Sequence, residues 1–203
     1  MSGHRWQKTI LLLSRDRSII GIPCSVWLFV PKAQRQLIYK RLQDALSLIE
    51  EYSPVRFAQL TNDVERILVA GDPTFHGQYI QKLRLVELYD DYVLDDDTTT
   101  EELASTLVHE SQHARLFRLG LGYEENIRNR IERLCFMSER IFSHRIPNGD
   151  KVWKRADAWL NNDLDEHFSN KAREEADFQA LEQLGCPVWI QKLLKRYVRR
   201  RAT

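Results

Sequence analysis

The segment His109-Glu110-Ser111-Gln112-His113 constrains this chain more than any other feature. It sits inside a stretch with helix signals at both ends. Asp95-Asp96-Asp97 leads into Thr98-Thr99-Thr100-Glu101-Glu102, where Thr98 with Glu101, or Thr99 with Glu102, has the spacing of a capping box. The acids also suit the positive end of a helix dipole. Gly120 and Gly122 supply the stop. The expected helix therefore runs over about 100–119. Leu103, Ala104, Leu107 and Val108 give it an apolar side for burial.

Residues four apart on a helix share a face. The imidazoles of His109 and His113 can then converge on one metal ion. Zinc suits such a pair, because neutral imidazole ligates it well and it lowers the pKa of bound water toward ~7. Glu110 is one position further on. It is poorly placed as a ligand and well placed to hold that water and accept its proton. The bland alternative is two histidines on a helix face with no metal.

A catalytic zinc site wants three protein ligands and an open position. Positions 116, 117, 119 and 123 are Leu, Phe, Leu and Tyr, so no third histidine follows at short spacing. The next helix, expected over about 123–145, offers Glu124, Glu125, Glu132 and Glu139. Glu125, Glu132 and Glu139 share nearly one face, stacked about 10 Å apart along the axis. The turn centres near Leu121. In an antiparallel pair, His109 and His113 then stand opposite positions near 133 and 129. Glu132 falls between those levels, with Glu139 and Glu125 as the alternatives.

His109-Glu110-x-x-His113 followed by Glu132 on the next helix resembles the gluzincin branch of the zinc metallopeptidases. The resemblance covers about residues 99–145 and, more loosely, the strands before them. It implies a zincin-like α+β fold, with an active-site helix under a small twisted sheet and an all-helical C-terminal half. It implies one zinc per chain on His109, His113 and Glu132, with Glu110 as general base for peptide hydrolysis. It further implies that extended peptide adds to the edge strand of the sheet. Residues 83–88, just before the motif, are the expected edge. One departure stands out. Many gluzincins carry an Asp four residues after the glutamate ligand, which orients the first histidine. Here that position is Phe136, so another acceptor is required. A group to stabilise the transition state is also expected, with Tyr123, His144, Arg145 and His167 the candidates by type. Tyr123 has packing at the helix turn as its alternative role. Cys135 lies one turn from Glu132, either near the site or as a buried structural thiol.

The remainder is organised around this helix pair. Residues 9–13, 24–30, 55–60, 64–70 and 83–88 read as strands. A helix is expected over 31–52, ended by Pro54. His76 and Gly77 fall in a connection, where His76 has a cleft or plain solvent to face. From Asp150 to Arg201 two or three more helices are expected. No repeat or linker divides the chain, so residues 1–203 read as one domain: a mixed part to 98, the helix pair over 99–145, and a helical extension from 150.

Composition narrows the class. Thirty Lys+Arg against 29 Asp+Glu leave a net charge of +1, which gives no global reason for a nucleic-acid or membrane partner. The 3 cysteines are scattered and odd in number, which favours a reducing, cytoplasmic location over a disulfide framework. The apolar runs near the N-terminus are too short for a transmembrane segment. The C-terminus is basic (Lys192, Lys195, Arg196, Arg199, Arg200, Arg201) with an apolar stripe through Trp189, Leu193 and Tyr197. Such a helix docks on a protein partner or an anionic surface, or simply packs by its apolar side. The acidic run over 90–102 either selects basic substrates or only caps the helix. The expected activity is peptide hydrolysis. The rivals are a zinc amidohydrolase acting on a non-peptide amide, and a non-catalytic zincin scaffold working through its basic helical tail.

Overall fold

The computed structural model describes residues 11, 13–70, 76–162 and 164–169. Strands β1 (Ser14–Ile19) and β2 (Ile22–Trp27) form an antiparallel hairpin closed at the pair Ile19–Ile22. Its two-residue turn has Ile20 at φ +48° and Gly21 at φ +81°. Positive φ at both positions is what a tight hairpin with the native twist demands. Strand β1 carries Arg15, Asp16 and Arg17 on an exposed edge, and charge there discourages pairing with another chain.

Helix α1 (Lys32–Tyr52) follows. Ile38, Leu42, Ala45, Leu46 and Ile49 recur at helical spacing and are fully buried. The Ile and Leu side chains among them each contribute roughly 1.5–3 kcal/mol relative to exposure. Pro54 then begins helix α2 (Pro54–Asp63) at its first turn, where the missing N–H costs nothing. The expected strand over 55–60 is therefore a helix. Phe57, Leu60 and Val64 carry a three-to-four period that the run of apolar letters concealed.

Strand β3 (Arg66–Ala70), strand β4 (Gly77–Ile80) and strand β5 (Leu85–Tyr89) complete a mixed five-stranded sheet of order β1-β2-β3-β5-β4. Strands β2, β3 and β5 are parallel, and β1 and β4 run antiparallel at the two edges. The parallel step from β2 to β3 needs a long crossover, which α1 and α2 provide. Ile67, Val69, Val86 and Leu88 face the main core with the helices, while Leu68, Ala70, Ile80 and Leu85 form a second cluster. The expected edge strand over 83–88 is thus an interior strand. The edge is β4, in the stretch read from sequence as a connection. Four residues with a glycine and a glutamine give too weak an alternation to announce a strand.

A short helix α3 (Asp90–Leu94) leads to α4 (Thr100–Arg118), whose Thr99 and Glu102 form both halves of a capping box. Gly120, at φ +86°, lets the chain reverse after α4. The Leu121 N–H reaches Leu116 O and the Gly120 N–H reaches Phe117 O, both at 2.9 Å. Helix α5 (Glu125–Ser143) packs back along α4, followed by α6 (Asp150–Asn161) and the short α7 (Leu164–Phe168). The fold class is α+β. Helix α4 is buried along nearly all of Glu102–Ser111, because the sheet, α1, α2 and α5 surround it. No helix among the described residues is long and apolar enough to cross a membrane. Most of the stretch 9–13 and the basic tail lie outside the described residues.

Candidate metal centre

The middle of α4 brings His109 and His113 onto the side that faces α5. Their Nε2 atoms are 3.2 Å apart. Glu132 of α5 inserts its buried carboxylate against both. Its Oε2 lies 3.3 Å from His109 Nε2, and its Oε1 lies 3.5 Å from His113 Nε2. Oε2 is shut away from solvent, and the polar group it faces is His109 Nε2 at 3.3 Å. A buried carboxylate oxygen is costly unless a donor or a cation satisfies it.

These distances test whether a metal fits. Tetrahedral zinc with ligand atoms at about 2.0–2.1 Å places those atoms about 3.3 Å from one another. The His109–His113 separation and the His109–Glu132 Oε2 separation sit near that value, and the second Glu132 oxygen comes within 3.5 Å of His113. Two imidazoles and a carboxylate are a donor set that a metal ion such as zinc accepts. His109, His113 and Cys135 also form a group able to hold a metal ion, each with a donor atom within 4.8 Å of the others. Cys135 is fully buried beneath the site in a cluster with Leu116 and Ile131, and burial drives its thiol well above the ordinary range.

Glu110 is buried beside this group. Burial, together with Glu132 and Glu139, pushes its carboxyl up to about 7, against the pull of His109. The backbone N–H of Tyr79, in edge strand β4, donates to it. Gly77 in the same strand crosses α4 so closely that a Cβ there would stand 2.9 Å from Thr106 Cγ2 and 3.4 Å from Glu110 Cγ. The edge strand thus runs directly past Glu110.

Glu139 was an alternative ligand by sequence, placed at least a turn too far away. It instead lies behind His109. Its Oε1 is 2.6 Å from His109 Nδ1, an arrangement that favours a proton on that nitrogen and would leave Nε2 for a metal ion. Its Oε2 accepts from Ser105 Oγ at 2.7 Å and from Arg155 of α6 at 2.7 Å. Glu139 is therefore the acceptor that Phe136 could not be. Burial would raise the carboxyls of Glu132 and Glu139. The imidazoles around Glu132, and His109 with Arg155 around Glu139, outweigh this and hold both down to about 2. Burial alone would lower His109, but the two carboxylates raise it well above its usual value.

Tyr123 does stand at the site. Its hydroxyl donates to Glu132 Oε1, and its ring meets His113 edge-on at 5.3 Å. That makes it a partner of Glu132 and His113. His144 caps the far end of α5 beside Trp153, beyond Glu139 and away from the metal-facing stripe. Arg145 is one residue further and exposed. His167 packs edge-on against Trp159, which stacks on Phe136, which in turn meets His109 edge-on. His76 stacks on Tyr92 at 4.3 Å. Glu125 begins α5, two turns before Glu132. The sequence reading passed over Ser105 and Arg155 entirely. Neither carries a spacing signal, because their position depends on how α4 and α6 meet α5. No protein-family model, curated protein or solved structure matches the chain.

Proposed function

We propose that this chain is a metal-dependent hydrolase, and within that class a zinc peptidase of the H-E-x-x-H kind. One observation carries the reading. Two imidazole nitrogens 3.2 Å apart meet a buried carboxylate, one Glu132 oxygen facing each histidine at 3.3 and 3.5 Å, with a second buried carboxylate, Glu110, alongside. Zinc held there supplies an acidified water and a Lewis acid for a carbonyl. Glu110 takes the proton of the attacking water and returns it to the leaving nitrogen as the C–N bond breaks. Strand β4 offers a backbone edge beside Glu110, along which an extended peptide can add as a further strand.

The test begins with zinc content by elemental analysis. About one zinc per chain is expected for this ligand set. His113→Ala and Glu132→Ala should lose it. Glu110→Gln should keep the metal and lose cleavage of a peptide library. A wild type that takes up no zinc, or a Glu110→Gln variant that cleaves as well as wild type, overturns the reading.

The thiol of Cys135 favours a second reading, in which it joins the histidines and closes a purely structural site. A cobalt-loaded protein would then show a sulfur-to-metal charge-transfer band that Cys135→Ser removes, and the chain would act as a binding scaffold.

A further inference from the structure

The proposed zinc site has a support that comes from outside the helix pair. Arg155 lies on α6, far along the chain from the H-E-x-x-H segment. Its Nη2 donates to Glu139 Oε2 at 2.7 Å and lies 3.4 Å from Ser105 Oγ. Arg155 therefore ties α6 to both α4 and α5 at one point. That point is a single bond away from a candidate ligand.

The two oxygens of Glu139 divide the work. Oε2 takes Ser105 and Arg155, and Oε1 takes His109 Nδ1. A carboxylate gripped on one oxygen by a planar, charged donor cannot rotate without breaking that grip. Its other oxygen is then fixed in direction as well. Arg155 is also the cation that faces this buried carboxylate, at 2.7 Å.

We propose that Arg155 is a positioning residue of the metal centre: it holds Glu139 so that His109 aims Nε2 at the metal. This rests on the zinc reading above. It extends that site into α6, in a region that sequence assigned only to a helical extension.

The test compares Arg155→Met, Arg155→Lys and Arg140→Ala in the full chain. Arg140 also joins α5 to α6, through Asp157 at 3.2 Å, but touches nothing at the site. It controls for simple loosening of the two helices. Zinc affinity is read by competition with a chromophoric chelator, and ligand geometry by the visible spectrum of the cobalt-loaded protein. Supporting partners of ligands typically change metal affinity ~10–100-fold. Arg155→Met should fall in that range and shift the cobalt bands. Arg155→Lys, with charge but no fork, should lie between Met and wild type, and Arg140→Ala should match wild type. A folded Arg155→Met variant with wild-type affinity and spectrum overturns the proposal. So does an equal loss in Arg140→Ala. Where Arg155→Met fails to fold, an Arg155→Lys variant identical to wild type in both readouts overturns it. A wild type that binds neither metal removes the zinc reading itself, which separates the two failures.

Discussion

Glu139 and His109 are 30 residues apart in sequence and 2.6 Å apart in the structure, carboxylate oxygen to ring Nδ1. Glu132 faces the opposite nitrogen of the same ring at 3.3 Å. One helix therefore addresses both sides of a single imidazole, from two positions seven residues apart. The heptad spacing makes this geometry available, since positions seven apart on a helix nearly superpose when viewed down its axis.

That division of labour gives unequal losses. Glu132→Ala should abolish stoichiometric zinc binding, because it removes a donor from a three-donor set. Glu139→Gln preserves shape and one acceptor oxygen, and should weaken zinc by ~10–100-fold without abolishing it. Chelator competition on both variants checks the order. Equal losses would mean that Glu139 is itself a ligand.

Gly77 is a close point of approach between the edge strand and α4. A Cβ there would meet Thr106 Cγ2 at 2.9 Å and Leu88 Cδ2 at 3.1 Å. Gly77→Ala must push β4 away from α4 or displace two packed side chains. Overpacking of this kind costs about 1–3 kcal/mol. Peptide cleavage should fall further than the stability loss explains, because β4 and Glu110 are displaced relative to each other. Thermal melting and cleavage rate, measured on the same preparation, decide this.

The parts of this arrangement that were legible in the sequence are the local ones. Thr99 and Glu102 announced the start of α4, and Gly120 its end, because capping is settled within one turn of chain. His109, His113 and Glu132 could be aligned by counting outward from the turn. The failures involve tertiary context. Pro54 read as a stop for α1 when it is also a start for α2. Strand β4 is too short to show its period, and its edge position follows from sheet order, which no local pattern encodes. The role of Glu139 was missed because a helix register locates a Cα level, and a glutamate side chain reaches across most of a turn. Arg155 was invisible for a stronger reason. Its partner is chosen by the packing of α6 against α5.

Tyr123 offers a way to separate two roles by kinetics. Its hydroxyl donates to Glu132, and its ring packs on His113. Tyr123→Phe keeps the ring and loses the hydroxyl. As a partner of a ligand, the variant should bind zinc several-fold more weakly and recover most of its activity when zinc is in excess. A group that stabilises the transition state would behave otherwise, with kcat falling by ~100-fold or more at full metal loading. Activity titrated against added zinc distinguishes the two.

Glu102 supplies a pH test that is independent of metal. It closes the capping box with the Thr99 N–H at 3.0 Å and pairs with Lys151 of α6 at 2.9 Å. Burial acts to raise its carboxyl, but the Thr99 N–H and Lys151 prevail, so its pKa in the folded chain lies below the ordinary 4.5. A depressed folded value means that ionised Glu102 stabilises the fold at pH values above 4.5. The contribution then fades as pH falls from there through the folded value. Glu102→Gln keeps an acceptor for the Thr99 N–H and loses the charge, so it should melt below wild type at pH 7, by up to about 1 kcal/mol for the lost ion pair. In a chain of this size that is roughly 2–4 °C. The two melting curves should converge as the pH is lowered well below the carboxylate range. No gap at pH 7 would mean that the cap acts through the shape of Glu102 and not through its charge.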